Sequence, residues 1–111
     1  SALIDLTLSI GELKLESSRE PGSFAMAINF RQLQVFRAVA KARSFTRASQ
    51  ALFISQSTVS QHIHELEEML HVKLFERTRR SVNLTSAGEN LLRHGNQIFE
   101  LLDQAENAVH T

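Results

Sequence analysis

The strongest constraint on the fold of this chain is a stripe of apolar residues at helical spacing in "SQSTVSQHIHELEEML", residues 55–70. The stripe repeats at intervals of four, three and four residues and consists of Val59, Ile63, Leu66 and Leu70. These intervals place its members on one side of an α-helix. Ser55 is a favourable N-cap, so the sequence predicts a helix from about Gln56 to Leu70. A helix with one apolar side must bury that side, so this one has to pack against other elements.

The opposite side of the predicted helix carries Gln56, Ser57, Ser60, Gln61 and His64, and Thr58 joins the uncharged hydrogen-bonding residues in its first turns. Serine and threonine lower helix propensity by roughly a few tenths of a kcal/mol each relative to alanine, so helix stability does not explain them. Glutamine binds adenine edges through two hydrogen bonds, and serine or threonine binds a base edge or a phosphate. We therefore predict that the first turns of this helix lie in the major groove of DNA. Helix caps and solvated surface are the alternative interpretation.

Two helices are predicted before this one. Residues of about 29–42 have apolar side chains on one side and charged or amide side chains on the other, which indicates a first helix. A short second helix follows in "TRASQALF", with Ser44 or Thr46 as its cap. These two helices are the expected packing partners of the apolar stripe.

A small β-hairpin is predicted after the third helix. Residues 73–76 and 81–84 are short enough for two strands, and they are joined by the basic turn "RTRR". The turn contains Arg77, Arg79 and Arg80. Beside a helix that enters a groove, such a cluster is expected to hold phosphates or to reach into the minor groove, whereas in isolation it is a common solvated face.

A long helix is predicted from Thr85, its N-cap, to the end of the chain. Its apolar and small residues recur at intervals close to three and four. A helix this apolar requires a partner in water, so we expect homodimerisation. The candidate dimerisation residues are Leu91, Ile98, Leu101, Leu102 and Ala105.

The charge of the chain is unevenly distributed, although the formal net charge is zero. Residues 28–84 carry nine Lys or Arg against four Glu, whereas residues 1–27 and 85–111 have a small excess of acids. A basic module between two mildly acidic flanks favours a polyanionic partner.

Composition narrows the protein class further. The chain has 111 residues and no cysteine, which excludes disulfides and thiolate zinc sites and favours a reducing compartment. No apolar run approaches the roughly 18 residues needed to cross a membrane. We expect a cytoplasmic protein with no membrane association and no cofactor.

The first residues differ from the rest of the sequence. Residues 4–10 alternate in a strand-like period of two, and "SSREPGS" then interrupts regular structure. We expect residues 1–25 to be an extension that was added by cloning or is disordered, or, if ordered, a strand or a contact with a neighbouring chain. The expected division is this extension, a DNA-binding domain at 26–84 and a linker or dimerisation helix at 85–111.

Other functions have weaker support in the sequence. His62 and His64 point about 200° apart on a helix, so they do not share a metal ion, and His64 with Glu68 is a weak pair. No nucleophile and base are assembled for a small hydrolase, so the chain is not expected to be an enzyme. A protein-interaction module that uses residues 85–111 and keeps the remainder as a scaffold is the second hypothesis, which the basic middle disfavours.

Residues 30–92 resemble the N-terminal domain of LysR-type transcriptional regulators. The resemblance depends on "SFTRAS", "SQSTVSQHIHELE", "LFER" and "LTSAG", which occur in the order and spacing of that family. It implies a mainly α fold, a winged helix-turn-helix of three helices and a small β-hairpin wing, followed by a long dimerisation helix. It also implies sequence-specific binding of double-stranded DNA at dyad operators by a bacterial regulator.

The resemblance implies roles for the matching positions. Those expected to bind bases or phosphates are Ser44, Thr46, Gln56, Ser57, Thr58, Ser60, Gln61, Arg79 and Arg80. Arg77 of the basic turn completes the predicted DNA-binding residues. Those expected to be structural are Ala48, Leu52, Val59, Ile63, Leu66, Leu74 and Phe75. Members of the family continue into an effector domain, so we expect these residues to be a DNA-binding fragment that lacks the small-molecule effector site. A naturally short protein is the alternative.

Four positions depart from the pattern of the family. Many members have proline where Ser57 stands, arginine where Gln61 stands and alanine where Ser49 stands. An arginine at position 61 would supply a strong guanine contact, so its absence leaves the preferred base open. His71 stands in place of a glycine, where a left-handed backbone is expected to strain histidine.

Overall fold

The computed structural model describes residues 28–110 of the chain. Its elements, in chain order, are α1 (Phe30–Ala42), α2 (Phe45–Leu52), α3 (Gln56–Leu70), β1 (Phe75–Arg77), β2 (Val82–Leu84) and α4 (Ser86–Ala108). This order confirms the predicted fold class, which is three helices, a two-stranded wing and a long C-terminal helix. The expectations for residues 1–25 lie outside the described residues.

Side-chain caps define where the four helices begin. Asn29 and Gln32 form a capping box at the start of α1. Ser44 caps α2 by accepting a hydrogen bond from the Arg47 N–H at 3.0 Å, so Ser44 rather than Thr46 is the cap. Ser55 and Thr85 cap α3 and α4 as the sequence predicted.

The core lies where α1, α2 and α3 meet. Val59, Ile63 and Leu66 of the predicted stripe are fully buried, and Leu70 packs against the core from a partly buried position. The predicted structural residues Ala48, Leu52, Val59, Ile63, Leu66, Leu74 and Phe75 are all buried or packed against the core. The apolar pattern therefore identified the buried side of α3 correctly.

Glu67 is buried, although the neighbouring acids Glu65 and Glu68 of α3 are exposed. The exposed fraction of Glu67 is only 6%. Its Oε2 accepts hydrogen bonds from the backbone N–H groups of Leu74 at 2.8 Å and Phe75 at 3.4 Å. The buried carboxylate thereby attaches α3 to the start of the wing.

The wing is an antiparallel pair that is shorter than predicted. Its register pairs Phe75 with Leu84 and Arg77 with Val82. The first strand begins two residues later than the predicted 73–76 and continues to Arg77. Residues 73 and 74 instead bind the α4 cap, because Thr85 donates its N–H to the Leu74 carbonyl at 3.0 Å and its hydroxyl to the Lys73 carbonyl at 2.7 Å.

α4 packs against α1 through Phe99, which lies just past the middle of the helix. The Phe99 ring is buried and lies 5.2 Å from the ring of Phe30, with the Arg37 guanidinium 3.8 Å from its centroid. Phe30 itself, the first residue of α1, is 47% exposed. Beyond Phe99, the described residues of α4 are exposed.

Candidate nucleic-acid interface

The face of α3 opposite the core presents the predicted uncharged side chains. Gln56, Ser57 and Gln61 are exposed, and Thr58 and Ser60 are partly buried. Val59 and Ile63 hold the helix against the core from the other side. The first turns of α3 are therefore fixed with a polar face directed outward.

Hydroxyl groups form a local network at the N-terminus of α3. The Ser55 Oγ lies 3.1 Å from the Ser57 Oγ and 2.8 Å from the Thr58 Oγ1. It also accepts a hydrogen bond from the Thr58 N–H at 3.1 Å. Part of the hydroxyl cluster consequently serves the helix cap, which was the alternative interpretation of these residues. Such local bonds also restrict the side-chain rotamers before any ligand binds.

Both glutamines of this face are held by neighbouring side chains. The Thr46 hydroxyl donates to the Gln56 Oε1 at 3.2 Å, which connects α2 to the first residue of α3. The Gln61 Nε2 donates to the Glu65 Oε2 at 3.1 Å, one helical turn later. Each glutamine side chain is therefore held by a neighbouring side chain of the protein itself.

A groove rich in arginine lies between the start of α2, the start of α3 and the wing. It is lined by seven of the ten predicted DNA-binding residues, namely Ser44, Thr46, Gln56, Ser60, Arg77, Arg79 and Arg80. Ser57, Thr58 and Gln61 lie on α3 outside this groove. The tertiary structure thus brings the wing and both helices of the helix-turn-helix to one surface.

Arg43 and Arg47 also line the groove, although they are not among the residues predicted from the sequence. Both flank the α2 cap, and the Arg43 Nη1 donates to the Asn83 Oδ1 of β2 at 3.5 Å. Their positive charge and their position on either side of Ser44 and Thr46 could have identified them in the sequence as candidate phosphate-binding residues. Five arginines therefore surround one groove, which gives it a strongly positive potential.

The three wing arginines differ in their surroundings. The Arg77 guanidinium lies 4.2 Å from the centroid of the Phe45 ring, a cation–π contact that fixes its side chain against α2. Arg79 and Arg80 are exposed at the tip of the wing. The Thr78 hydroxyl orders this tip by accepting the N–H groups of Arg80 at 3.2 Å and Ser81 at 3.0 Å.

The candidate dimerisation residues fall into two groups on α4. Leu91 is partly buried and packs against the core. Ile98, Leu101 and Leu102 are 45%, 64% and 39% exposed, and Ala105 is exposed beside them. Within residues 28–110, an apolar strip on the second half of α4 therefore remains exposed.

The structure accommodates the two departures that concern the backbone and the core. Ser49 is buried and its hydroxyl donates to the Thr46 carbonyl at 2.7 Å, so its polar atom is satisfied. His71 ends α3 in the left-handed conformation at φ 58° and ψ 37°. A non-glycine residue is uncommon there, as the sequence predicted.

The described part of the chain contains neither a cluster of metal ligands nor a membrane-spanning helix. Among residues 28–110, no three histidine or acidic side chains are placed where they could hold a metal ion. None of the helices described is both long and apolar enough to span a membrane.

Known relatives share this part of the sequence. HTH-type transcriptional regulator YofA of Bacillus subtilis (strain 168) is 50% identical over 77 residues, which are 69% of this chain and 27% of the relative. HTH-type transcriptional regulator CfxR of Cupriavidus necator is 38% identical over 87 residues, which are 78% of this chain and 27% of the relative. The chain thus spans about a quarter of the length of the curated relatives it matches.

Solved structures show the same fold bound to DNA. The DNA-binding domain of CbnR in complex with DNA superposes with a TM-score of 0.70 at 35% identity, over 75% of this chain and 95% of that one. The DNA-binding domain of BenM with benA site 1 DNA gives a TM-score of 0.72 at 32% identity, over 75% and 93%. Residues 30–89 match the family described as "Bacterial regulatory helix-turn-helix protein, lysR family". This chain belongs to the LysR family of bacterial regulatory helix-turn-helix proteins.

Proposed function

We propose that residues 30–84 bind double-stranded DNA sequence-specifically, as the DNA-binding domain of a transcriptional regulator. The observation that carries the proposal is the exposed uncharged face of α3 beside a groove lined by five arginines. Amides and hydroxyls suit base edges, whereas arginines suit phosphates. The CbnR and BenM domains, which share this fold, are solved in complex with DNA, which supports DNA binding by this chain.

The distribution of charge along α3 indicates which part of the helix enters the groove. Its first two turns have no acidic residue, whereas Glu65 and Glu68 are exposed further along. Acids so placed would repel phosphates, so the helix would approach the DNA through its N-terminal turns, with Glu65 at the edge of the contacting part and Glu68 beyond it. The DNA phosphates on one side of the major groove would then be contacted by the wing arginines, Arg79 and Arg80, and by Arg43 and Arg47.

The relatives also bear on other aspects of the function. YofA and CfxR are named as transcriptional regulators, which favours a regulatory rather than an enzymatic role. We propose that the domain acts in the cytoplasm. A small-molecule effector stays a prediction.

We further propose that the chain forms a homodimer through the second half of α4. The strip formed by Ile98, Leu101, Leu102 and Ala105 is exposed in the single chain, and a second copy would cover it. A two-fold dimer would place two α3 helices in successive major grooves, ~34 Å apart or a multiple of that distance. The operator is therefore expected to be a dyad.

Gln61→Ala and Arg80→Ala are expected to weaken DNA binding in different ways. Loss of Gln61 should cost ~1–3 kcal/mol on the preferred duplex and relax one base position, because it removes a base contact. Loss of Arg80 should weaken binding to all sequences alike and reduce the salt dependence by about one counterion, because it removes a phosphate contact. Fluorescence anisotropy with a labelled duplex, selected from a randomised library, would measure both effects across a salt series.

The same titrations include a control and a test of the proposal. Arg93→Ala removes an exposed arginine of α4 that is not among the groove residues, so it should leave both affinity and salt dependence nearly unchanged. Wild-type binding that does not depend on ionic strength, or the absence of any selected sequence, would contradict the proposed function.

Leu101→Glu is expected to weaken self-association at least about tenfold, because it places a charge in an apolar interface. Sedimentation equilibrium at tens of micromolar would measure the change. Asn107→Glu introduces the same charge on the opposite side of α4 and should leave association unchanged. A wild-type chain that stays monomeric at these concentrations would refute dimerisation through α4.

A further inference from the structure

The contact between Gln61 and Glu65 has a chemical consequence for base recognition. Both residues are exposed on α3, and the Gln61 Nε2 lies 3.1 Å from the Glu65 Oε2. They are separated by four residues, so their side chains lie above one another on the same helix face. Neither belongs to the arginine-rich groove between α2 and the wing.

An ionised carboxylate accepts hydrogen bonds and donates none. A Gln61 amide beside Glu65 must therefore turn its NH₂ group toward the carboxylate, which leaves its carbonyl Oε1 directed away from Glu65. The opposite orientation would place two acceptor oxygens against each other. The contact at Gln56 differs, because the Thr46 hydroxyl can donate or accept and fixes no such polarity.

The oriented pair presents two acceptor atoms, the Gln61 Oε1 and the second oxygen of Glu65, against one remaining donor, the second N–H of the Gln61 Nε2. In the major groove, the matching donors are the exocyclic amino groups, N4 of cytosine and N6 of adenine. Guanine and thymine present acceptor oxygens at the corresponding position of the same strand. The Gln61 Oε1 and the Glu65 carboxylate would repel these guanine and thymine oxygens, because all of them are acceptors.

We propose that Glu65 is a specificity-determining residue that orients Gln61 to read a cytosine or adenine amino group and to reject guanine or thymine on the same strand. The inference rests on the proposed function, since it requires α3 to lie in the major groove. The negative charge of Glu65 supports a base contact for the pair rather than a phosphate contact, because a carboxylate repels the backbone. Orienting the Gln61 amide thereby gives an acidic residue a role on the helix that faces DNA.

Selection from a library of randomised double-stranded DNA, with the full chain, tests this inference. Gln61→Ala first identifies the base position that the pair reads, because preference at that position alone should weaken. The wild-type protein should accept cytosine or adenine there and disfavour guanine and thymine by about tenfold. In Glu65→Gln the neighbour both donates and accepts, so the Gln61 amide is free to reverse and the discrimination should fall to about twofold or less.

Glu68→Gln is the matched control. It removes one negative charge from an exposed position of the same helix, one turn beyond the pair, and should raise affinity for all duplexes without changing base preference. Unchanged discrimination in Glu65→Gln, or an equal change in Glu68→Gln, would overturn the inference. A wild-type preference for guanine or thymine at the position that Gln61→Ala identifies would also overturn it. Failure of the wild-type chain to select any sequence would instead contradict the proposed function.

Discussion

Replacing Gly88 with alanine is expected to destabilise the domain by at least about 2 kcal/mol, although the substitution removes a glycine from a helix. A Cβ at this position would lie 2.2 Å from the carbonyl oxygen of Leu74 and 2.8 Å from the Cδ2 of Leu84. The oxygen belongs to the backbone at the start of the wing, and it also accepts the Thr85 N–H. Neither α4 nor the wing can move away without breaking that contact. The steric cost therefore exceeds the gain of ~1 kcal/mol in helix propensity.

Gly95 provides a matched control on the same helix. It is also buried, but a Cβ there would meet only Leu33 side-chain atoms, the nearest at 3.4 Å. Gly95→Ala should consequently be neutral or stabilising by up to ~1 kcal/mol. Urea denaturation followed by circular dichroism would compare the two variants. If Gly88→Ala is as stable as Gly95→Ala, the described packing of α4 against the wing is incorrect.

Glu67→Ala is expected to destabilise the domain by about 2–4 kcal/mol. The substitution leaves the Leu74 N–H, which donates to Glu67 at 2.8 Å, buried without its acceptor, and it opens a cavity. The ion pair with Lys73, at 3.6 Å, adds little to this cost because Lys73 is largely exposed. The expected effect therefore comes from the backbone hydrogen bonds rather than from charge pairing.

Two further variants separate these causes. Glu67→Gln retains an acceptor oxygen of nearly the same size and should recover most of the lost stability. Glu68→Ala removes the adjacent, exposed acid and should change stability by about 0.5 kcal/mol or less. The midpoint of urea denaturation reports each value. A Glu67→Ala protein as stable as Glu68→Ala would show that the carboxylate does not attach α3 to the wing.

The sequence predicted the bounds of α3 and its buried side because local signals agreed there. Ser55 caps the helix, the apolar stripe has a regular period, and both are properties of neighbouring residues. The wing was placed less accurately, since where β1 begins depends on contacts that Thr85 makes across twelve residues of sequence. Local patterns do not encode such contacts.

The candidate site was only partly predictable for the same reason. The polar face of α3 follows from helical spacing, but the burial of Glu67 does not, because its partners lie seven and eight residues ahead. Arg43 and Arg47 belong to the arginine-rich groove only when α2 packs beside the wing. Glu65 lies one helical turn after Gln61, a spacing that is visible in the sequence, but the spacing alone does not show which way the Gln61 amide is turned. The observed contact between the Gln61 Nε2 and the Glu65 Oε2 indicates that orientation.

The most direct test of the account is a crystal structure of the chain with a duplex selected from the randomised library. We expect the side chains of Gln56, Ser57 and Gln61 within hydrogen-bond distance of base edges in a major groove, with Arg79 or Arg80 on the backbone or in the minor groove. Val59 and Ile63 should stay buried behind them. A complex in which this face of α3 points into solvent, while another surface holds the DNA, would contradict the account.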